Sequence, residues 1–96
     1  MKIEFTKNDG VMNVTLDGRL DTTTAPQLDE MLTSNLMCVN TLTIDCKKLA
    51  YVSSAGLRVL LATHKKMKGA MKLVNVQELV MEVFEITGFS DILIIE

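Results

Sequence analysis

The chain has no tryptophan, one tyrosine, one proline, one histidine and two cysteines in 96 residues. Each scarcity closes a class of function. Without tryptophan, and with a single tyrosine, there is no series of aromatic platforms on which nucleic-acid bases could stack. Ten basic residues against twelve acidic ones, a net charge of −2, give no footprint for a phosphate backbone. Cys38 and Cys46 lie outside any metal-ligand spacing, so they read as buried, reduced thiols. No stretch approaches the roughly 18 apolar residues of a membrane-spanning helix. The opening Met1-Lys2-Ile3-Glu4-Phe5 lacks the apolar core of a signal peptide. The expectation is a cytoplasmic protein with no metal, no cofactor, no nucleic acid and no membrane insertion.

Enzymatic machinery is equally sparse. His64, the sole histidine, falls late in an expected helix, where it complements the helix dipole. No Gly-x-Ser-x-Gly elbow surrounds Ser53 or Ser54, and no phosphate-binding glycine loop is present. Asp21 and Asp45 are expected to approach each other at one end of a sheet, although strand-end solvation accounts for two such carboxylates equally well. No catalytic residue is assigned.

What the chain does have is periodicity. An apolar content of 48% suits a single domain with one modest core. Ile3 to Thr6 and Val11 to Asp17 read as strands joined by the turn signal Asn8-Asp9-Gly10, with Gly18 breaking the second. Thr24-Ala25-Pro26 opens a helix with a capping threonine and a proline where its missing N–H is harmless. That helix continues through Leu28, Met31, Leu32 and Leu36. Thr41 to Cys46 is a strand, a loop follows, and a helix runs from the serines to about Lys68, closed by Gly69. Lys65, Lys66, Lys68 and Lys72 gather near that helix end.

Met71 to Asn75 is a further strand. A helix over Val76 to Thr87 follows, with Val76, Leu79, Val80, Val83 and Phe84 on its packed side, and Ile92 to Ile95 form a last strand. The order is β-β-α-β-α-β-α-β. It implies an α/β fold with a mixed sheet, right-handed crossovers and helices mainly on one face.

Two segments carry more than fold. In Asp45-Cys46-Lys47-Lys48-Leu49-Ala50-Tyr51-Val52-Ser53-Ser54-Ala55-Gly56-Leu57-Arg58, a strand delivers two adjacent serines to the first turn of a helix. A hydroxyl there is either a cap for the free N–H groups or a place to put a phosphate. The stretch resembles the phosphorylation loop of STAS domains, and more narrowly that of bacterial anti-sigma factor antagonists. Gly18-Arg19-Leu20-Asp21-Thr22-Thr23-Thr24-Ala25 is similar to a second stretch of that family, Gly-x-Leu-Asp-x-x-Thr-Ala.

The resemblance covers nearly the whole chain as a single STAS domain, residues 1–96, with a STAS-like sheet. It implies an anti-sigma factor antagonist that binds a serine-kinase anti-sigma factor and is switched off by serine phosphorylation, with a serine phosphatase to reverse it. Nucleotide and Mg²⁺ would belong to the kinase. The acceptor lies two residues before the family's glycine, here Gly56, which makes Ser54 the carried-over position and Ser53 the alternative. Asp21, Thr22, Thr23, Thr24, Ser53, Ala55, Gly56 and Arg58 are the expected partner-binding residues.

Two departures stand out. Many antagonists carry an acidic residue where this chain has Ser53. Family members also commonly have one more helix after the last strand, where this chain stops at Glu96. Apolar surface left uncovered there would allow a weak homodimer. The rival expectation is a constitutive docking module of a lipid ABC transporter or another signalling assembly, with the serine as a plain cap.

Overall fold

Alternation governs the sheet. In β2 (Val11–Leu20) Met12, Val14 and Leu16 are fully buried, whereas Val11 and Asn13 face solvent. The computed structural model, which describes residues 1–96, pairs this strand antiparallel with β1 (Lys2–Asn8). Their connection is Asp9 and Gly10, at φ 50° and 81°. Two consecutive positive φ values make the hairpin turn that matches strand twist, which the Asp-Gly pair accommodates.

The chain then alternates: α1 (Ala25–Asn35), β3 (Thr41–Val52), α2 (Ser54–Lys66), β4 (Met71–Val74), α3 (Glu78–Thr87) and β5 (Ile94–Ile95). The five strands lie side by side in chain order, with β2, β3, β4 and β5 parallel to their neighbours. Each crossover moves one place in the same direction. Right-handedness therefore puts all three helices on one face, as the element order implies. The other face is open and polar, carrying residues such as Asn13, Thr15, Thr41, Thr43 and Lys72.

Two strands run further than their sequence alternation indicates. β2 continues past Gly18 to Leu20, and β3 past Cys46 to Val52. The pairing Thr15↔Asp45 gives way to Asp17↔Lys48, and Gly18↔Leu49 to Arg19↔Tyr51, so β3 carries an extra residue at each of two bulges. Its buried positions are Leu42, Ile44 and Cys46, then Leu49, then Val52. A step of three at each bulge keeps the same face inward, and reads in sequence as a broken strand.

The core joins these strand residues to Ala25, Leu28 and Leu32 of α1, Leu57 and Leu60 of α2, and Val80 and Phe84 of α3. Leu79, expected on the packed side of α3, is 68% exposed, because Val80 and Phe84, four residues apart, hold the inward stripe. The end of α1 is tied to the edge strand: Lys7 Nζ donates to Asn35 O (2.9 Å) and Met37 O (2.8 Å). A cation on these last carbonyls satisfies groups the helix leaves free. Lys65 and Lys66 do sit in the last turn of α2, but Lys72 lies on β4 and pairs with Glu96 at 3.4 Å.

At Gly56 helix α2 packs tightly against the end of β2. A Cβ there would stand 2.7 Å from Leu20 Cγ and 3.0 Å from Leu20 O. The side chain could shift but the carbonyl is held in the sheet.

Burial also divides the cysteines. Cys46 is enclosed, and burial first, then the neighbouring Asp45 charge, push its thiol up to about 12. Cys38, expected to be buried, is exposed in the turn before β3.

Three outcomes follow from the packing. Gly56→Ala is expected to lower unfolding free energy by about 1–3 kcal/mol through overpacking against Leu20 O. Phe84→Ala is expected to remove about 3–5 kcal/mol, read from urea titration midpoints. A thiol reagent at neutral pH should label Cys38 alone in the folded protein and Cys46 only in denaturant; equal labelling rates would contradict the burial of Cys46.

Candidate functional site

Because β2 and β3 are parallel neighbours, the segments that leave their carboxyl ends emerge side by side. Ser53 N donates to Leu20 O at 2.8 Å, the last link between the two strands. Ser53 remains extended (φ −99°, ψ 175°) and caps α2, its Oγ accepting from Gly56 N at 3.3 Å and its carbonyl from Leu57 N at 2.9 Å. Ser54 is the first residue of α2, is exposed, and its hydroxyl makes no hydrogen bond within the chain.

The two adjacent serines thus have different environments. One hydroxyl is engaged by the backbone and half-buried; the other points to solvent above the N–H groups of a helix start. Ala55 is half-buried, and Gly56 is buried against Leu20, so it shapes this surface by letting the helix approach. Arg58 is exposed one turn after Ser54, on the same side of the helix. His64 lies ten residues further along α2, about 15 Å at 1.5 Å per residue, so it is no base for Ser54.

The neighbouring turn is built by Asp21. Its Oδ1 accepts from Thr23 N (3.0 Å), Thr23 Oγ1 (2.7 Å) and Thr24 N (3.1 Å), and its carbonyl accepts from Ala25 N (2.8 Å). The Thr23 hydroxyl chiefly, against some desolvation and with the Thr24 and Thr23 N–H groups, holds this carboxyl below the usual aspartate range. Asp21 is therefore a stable anion and a poor base.

The expectation that Thr24 caps α1 is corrected here. Its backbone is already helical (φ −99°, ψ −23°) and it makes no capping bond. Instead Thr24 Oγ1 donates to Arg19 O (2.7 Å) and accepts from Asp21 N (2.8 Å), closing the turn backwards. Thr22 and Thr23 stand exposed at its apex.

The structure brings Asp21–Thr24 and Ser53–Arg58 to one end of the sheet and leaves Asp45 out. Asp45 pairs with Thr15, whereas Leu20 pairs with Val52, so it lies about 20 Å back along the strand. There it accepts from Lys47 N (2.9 Å) and Asn75 Nδ2 (3.1 Å). The expected approach of Asp21 to Asp45 does not occur.

Two residues inside the two family-like segments, but not among the expected partner-binding residues, also stand beside Asp21. The Arg19 guanidinium sits 4.1 Å above the centre of the Tyr51 ring, and Arg19 Nε is 4.0 Å from Asp21 Oδ2. Both belong to the strand ends that bulges conceal in the sequence. The largest concavity, about 460 Å³ and lined by Thr41, Gly69, Met71 and Ile94 among others, opens at the opposite end of the sheet. Neither Asp21–Thr24 nor Ser53–Arg58 lines it.

Comparison with known proteins identifies the fold and the family. The STAS domain model matches residues 2–96. The anti-sigma-B factor antagonist of Bacillus subtilis (strain 168) is 33% identical over 96 residues, covering 97% of this chain and 88% of that protein. The structure of the anti-sigma factor antagonist SpoIIAA in its unphosphorylated form superposes with a TM-score of 0.84 at 17% identity, covering 99% of this chain and 88% of the other. The Bacillus cell fate determinant SpoIIAA in its phosphorylated form gives 0.75 at 16% identity, covering 99% and 91%. At those identities the structures establish likeness of fold. A family match from the second residue to the last, and a relative one-third identical along its length, lead to one conclusion: the chain belongs to the STAS domain family.

Proposed function

We propose that this protein is an anti-sigma factor antagonist, a cytoplasmic binding module without catalysis of its own, whose Ser54 is phosphorylated by the serine-kinase anti-sigma factor that it binds. The observation carrying this reading is the contrast between Ser53, whose Oγ is engaged as a cap, and Ser54, whose hydroxyl is exposed and unpartnered. The name of the Bacillus subtilis relative states that role for it, and SpoIIAA has been solved in a phosphorylated form.

A phosphate would add about −1.5 to −2 charges. At the start of α2 it meets free N–H groups and the positive end of a dipole, worth about 0.3–1 kcal/mol in its favour. The fold is therefore expected to tolerate the modification. A partner lying on Asp21, Thr22, Thr23, Thr24, Ser53, Ala55 and Arg58 would instead meet new charge and bulk in its interface. The switch acts on binding, and a serine phosphatase resets it.

The test uses the purified serine-kinase anti-sigma factors of the host with ATP and Mg²⁺. Peptide mass spectrometry should place one phosphate on Ser54, absent from Ser54→Ala; phosphate on Ser53 alone, or on neither, would sink the assignment. Ser54→Asp should weaken kinase binding by about tenfold or more, as an unmatched interface charge does. Unchanged binding would favour a constitutive docking module. For stability the order reverses. Ser53→Ala should lower unfolding free energy by about 0.5–1 kcal/mol through loss of the cap, and Ser54→Ala by less than about 0.5 kcal/mol.

A further inference from the structure

Arg19 occupies an unusual position for a surface cation. Its side chain is 63% exposed, yet it is held from two sides. The Tyr51 ring lies beneath the guanidinium at 4.1 Å, directly across the β2–β3 ladder, where Arg19 pairs with Tyr51. Asp21 Oδ2 approaches from the side at 4.0 Å, and from Nε. That separation is too long for a hydrogen bond. The other carboxylate oxygen of Asp21 is engaged by the Thr23 and Thr24 donors. The two terminal nitrogens of the Arg19 fork make no hydrogen bond within the chain.

An arginine in this state is prepared for a ligand. Its guanidinium rests on the Tyr51 ring, which reduces the rotamer freedom to be lost on association. Its planar fork matches a carboxylate in a two-bond geometry. Tyrosine and arginine are also the residue types in which interface binding energy concentrates. Leu20 separates Arg19 from Asp21, and Leu20 O holds Ser53 N, which places this cation beside the serine turn on the strand side. Arg58 stands on the helix side.

We propose that the Arg19–Tyr51 pair is an anchor that receives a carboxylate of the partner protein docking over the Ser54 loop, and that it sets which partner the chain accepts. The proposal rests on the preceding reading that an anti-sigma factor covers this loop. It adds the chemistry of the contact: an Asp or Glu of the anti-sigma factor lies on the fork while Tyr51 keeps the guanidinium oriented.

The experiment is calorimetric titration against the purified serine-kinase anti-sigma factor, with wild type, Arg19→Ala, Arg19→Lys, Arg19→Glu, Tyr51→Ala and Lys65→Ala. Lys65 is exposed in the last turn of α2, far from the site, and controls for net charge. Arg19→Ala should weaken binding about tenfold or more and Arg19→Glu further, with Arg19→Lys intermediate because charge survives without the fork. Tyr51→Ala should weaken it too, and the Arg19→Ala/Tyr51→Ala double variant should bind no worse than Arg19→Ala alone. Lys65→Ala should stay within about twofold. One Asp or Glu to Arg change on the kinase should restore binding to Arg19→Glu.

Arg19→Ala binding like wild type, an equal loss with Lys65→Ala, or no restoring change on the kinase would overturn the anchor while wild-type binding and Ser54 phosphorylation stand. A wild-type protein that neither binds nor is phosphorylated would overturn the function as well, so the two failures are separable.

Discussion

The carbonyl of Leu20 is where sheet, helix and candidate site meet. It accepts the Ser53 N–H, which ends the β2–β3 ladder, and it stands 3.0 Å from where a Gly56 Cβ would be. One backbone group thus aligns the end of β2 with the cap of α2 and sets how closely that helix lies on the sheet. Leu20 itself is fully buried, so the contact is fixed from within the core. The Asp21 turn begins one residue later. Both halves of the site therefore inherit their relative position from a rigid backbone contact, and neither depends on flexible side chains to find the other.

The second constraint is length. β3 continues seven residues beyond its last pairing with β4, from Asp45 to Val52, and β2 is its only sheet neighbour over that stretch. Two bulges let the strand make this excursion while Leu49 and Val52 still point inward. Their other product is on the open face, where Arg19 and Tyr51 come into register. The register shifts thus bring the Arg19 guanidinium over the Tyr51 ring at the strand end that leads into the serine turn.

The result is a surface suited to recognition. Asp21 is held ionised by its own turn, Ser53 is engaged as a cap, and the only nearby hydroxyl turned wholly to solvent on α2 is that of Ser54. His64 lies about 15 Å along α2 from Ser54, and the largest concavity is at the far end of the sheet. In the proposed function, charge placed on Ser54 would meet the positive end of the α2 dipole, and its cost would fall on the interface with the partner. On that reading, a marginally stable domain can carry such a switch, because a stability of about 5–15 kcal/mol would not be drawn upon when the state changes.

Much of this was legible in the amino-acid order. Alternation at Met12, Val14, Leu16, Leu42 and Ile44, and the helical stripes after Ala25 and Ser54, determined the element order, the parallel crossovers and the one-faced helix layer. The Ser-Ser-Ala-Gly and Gly-Arg-Leu-Asp segments marked the two loops and the family. The tertiary structure decided the rest. Strand ends past Gly18 and Cys46 were hidden because each bulge advances the inward face by three residues instead of two, which erases the period a sequence reading relies on. The separation of Asp45 from Asp21 followed from that hidden length. The different environments of Ser53 and Ser54 depended on which hydroxyl faces the Gly56 N–H, and the pairing of Arg19 with Tyr51 on a register between residues 32 positions apart. Local pattern determines what each segment becomes; only the packed backbone determines which side chains meet, because register and close approach are properties of two segments at once.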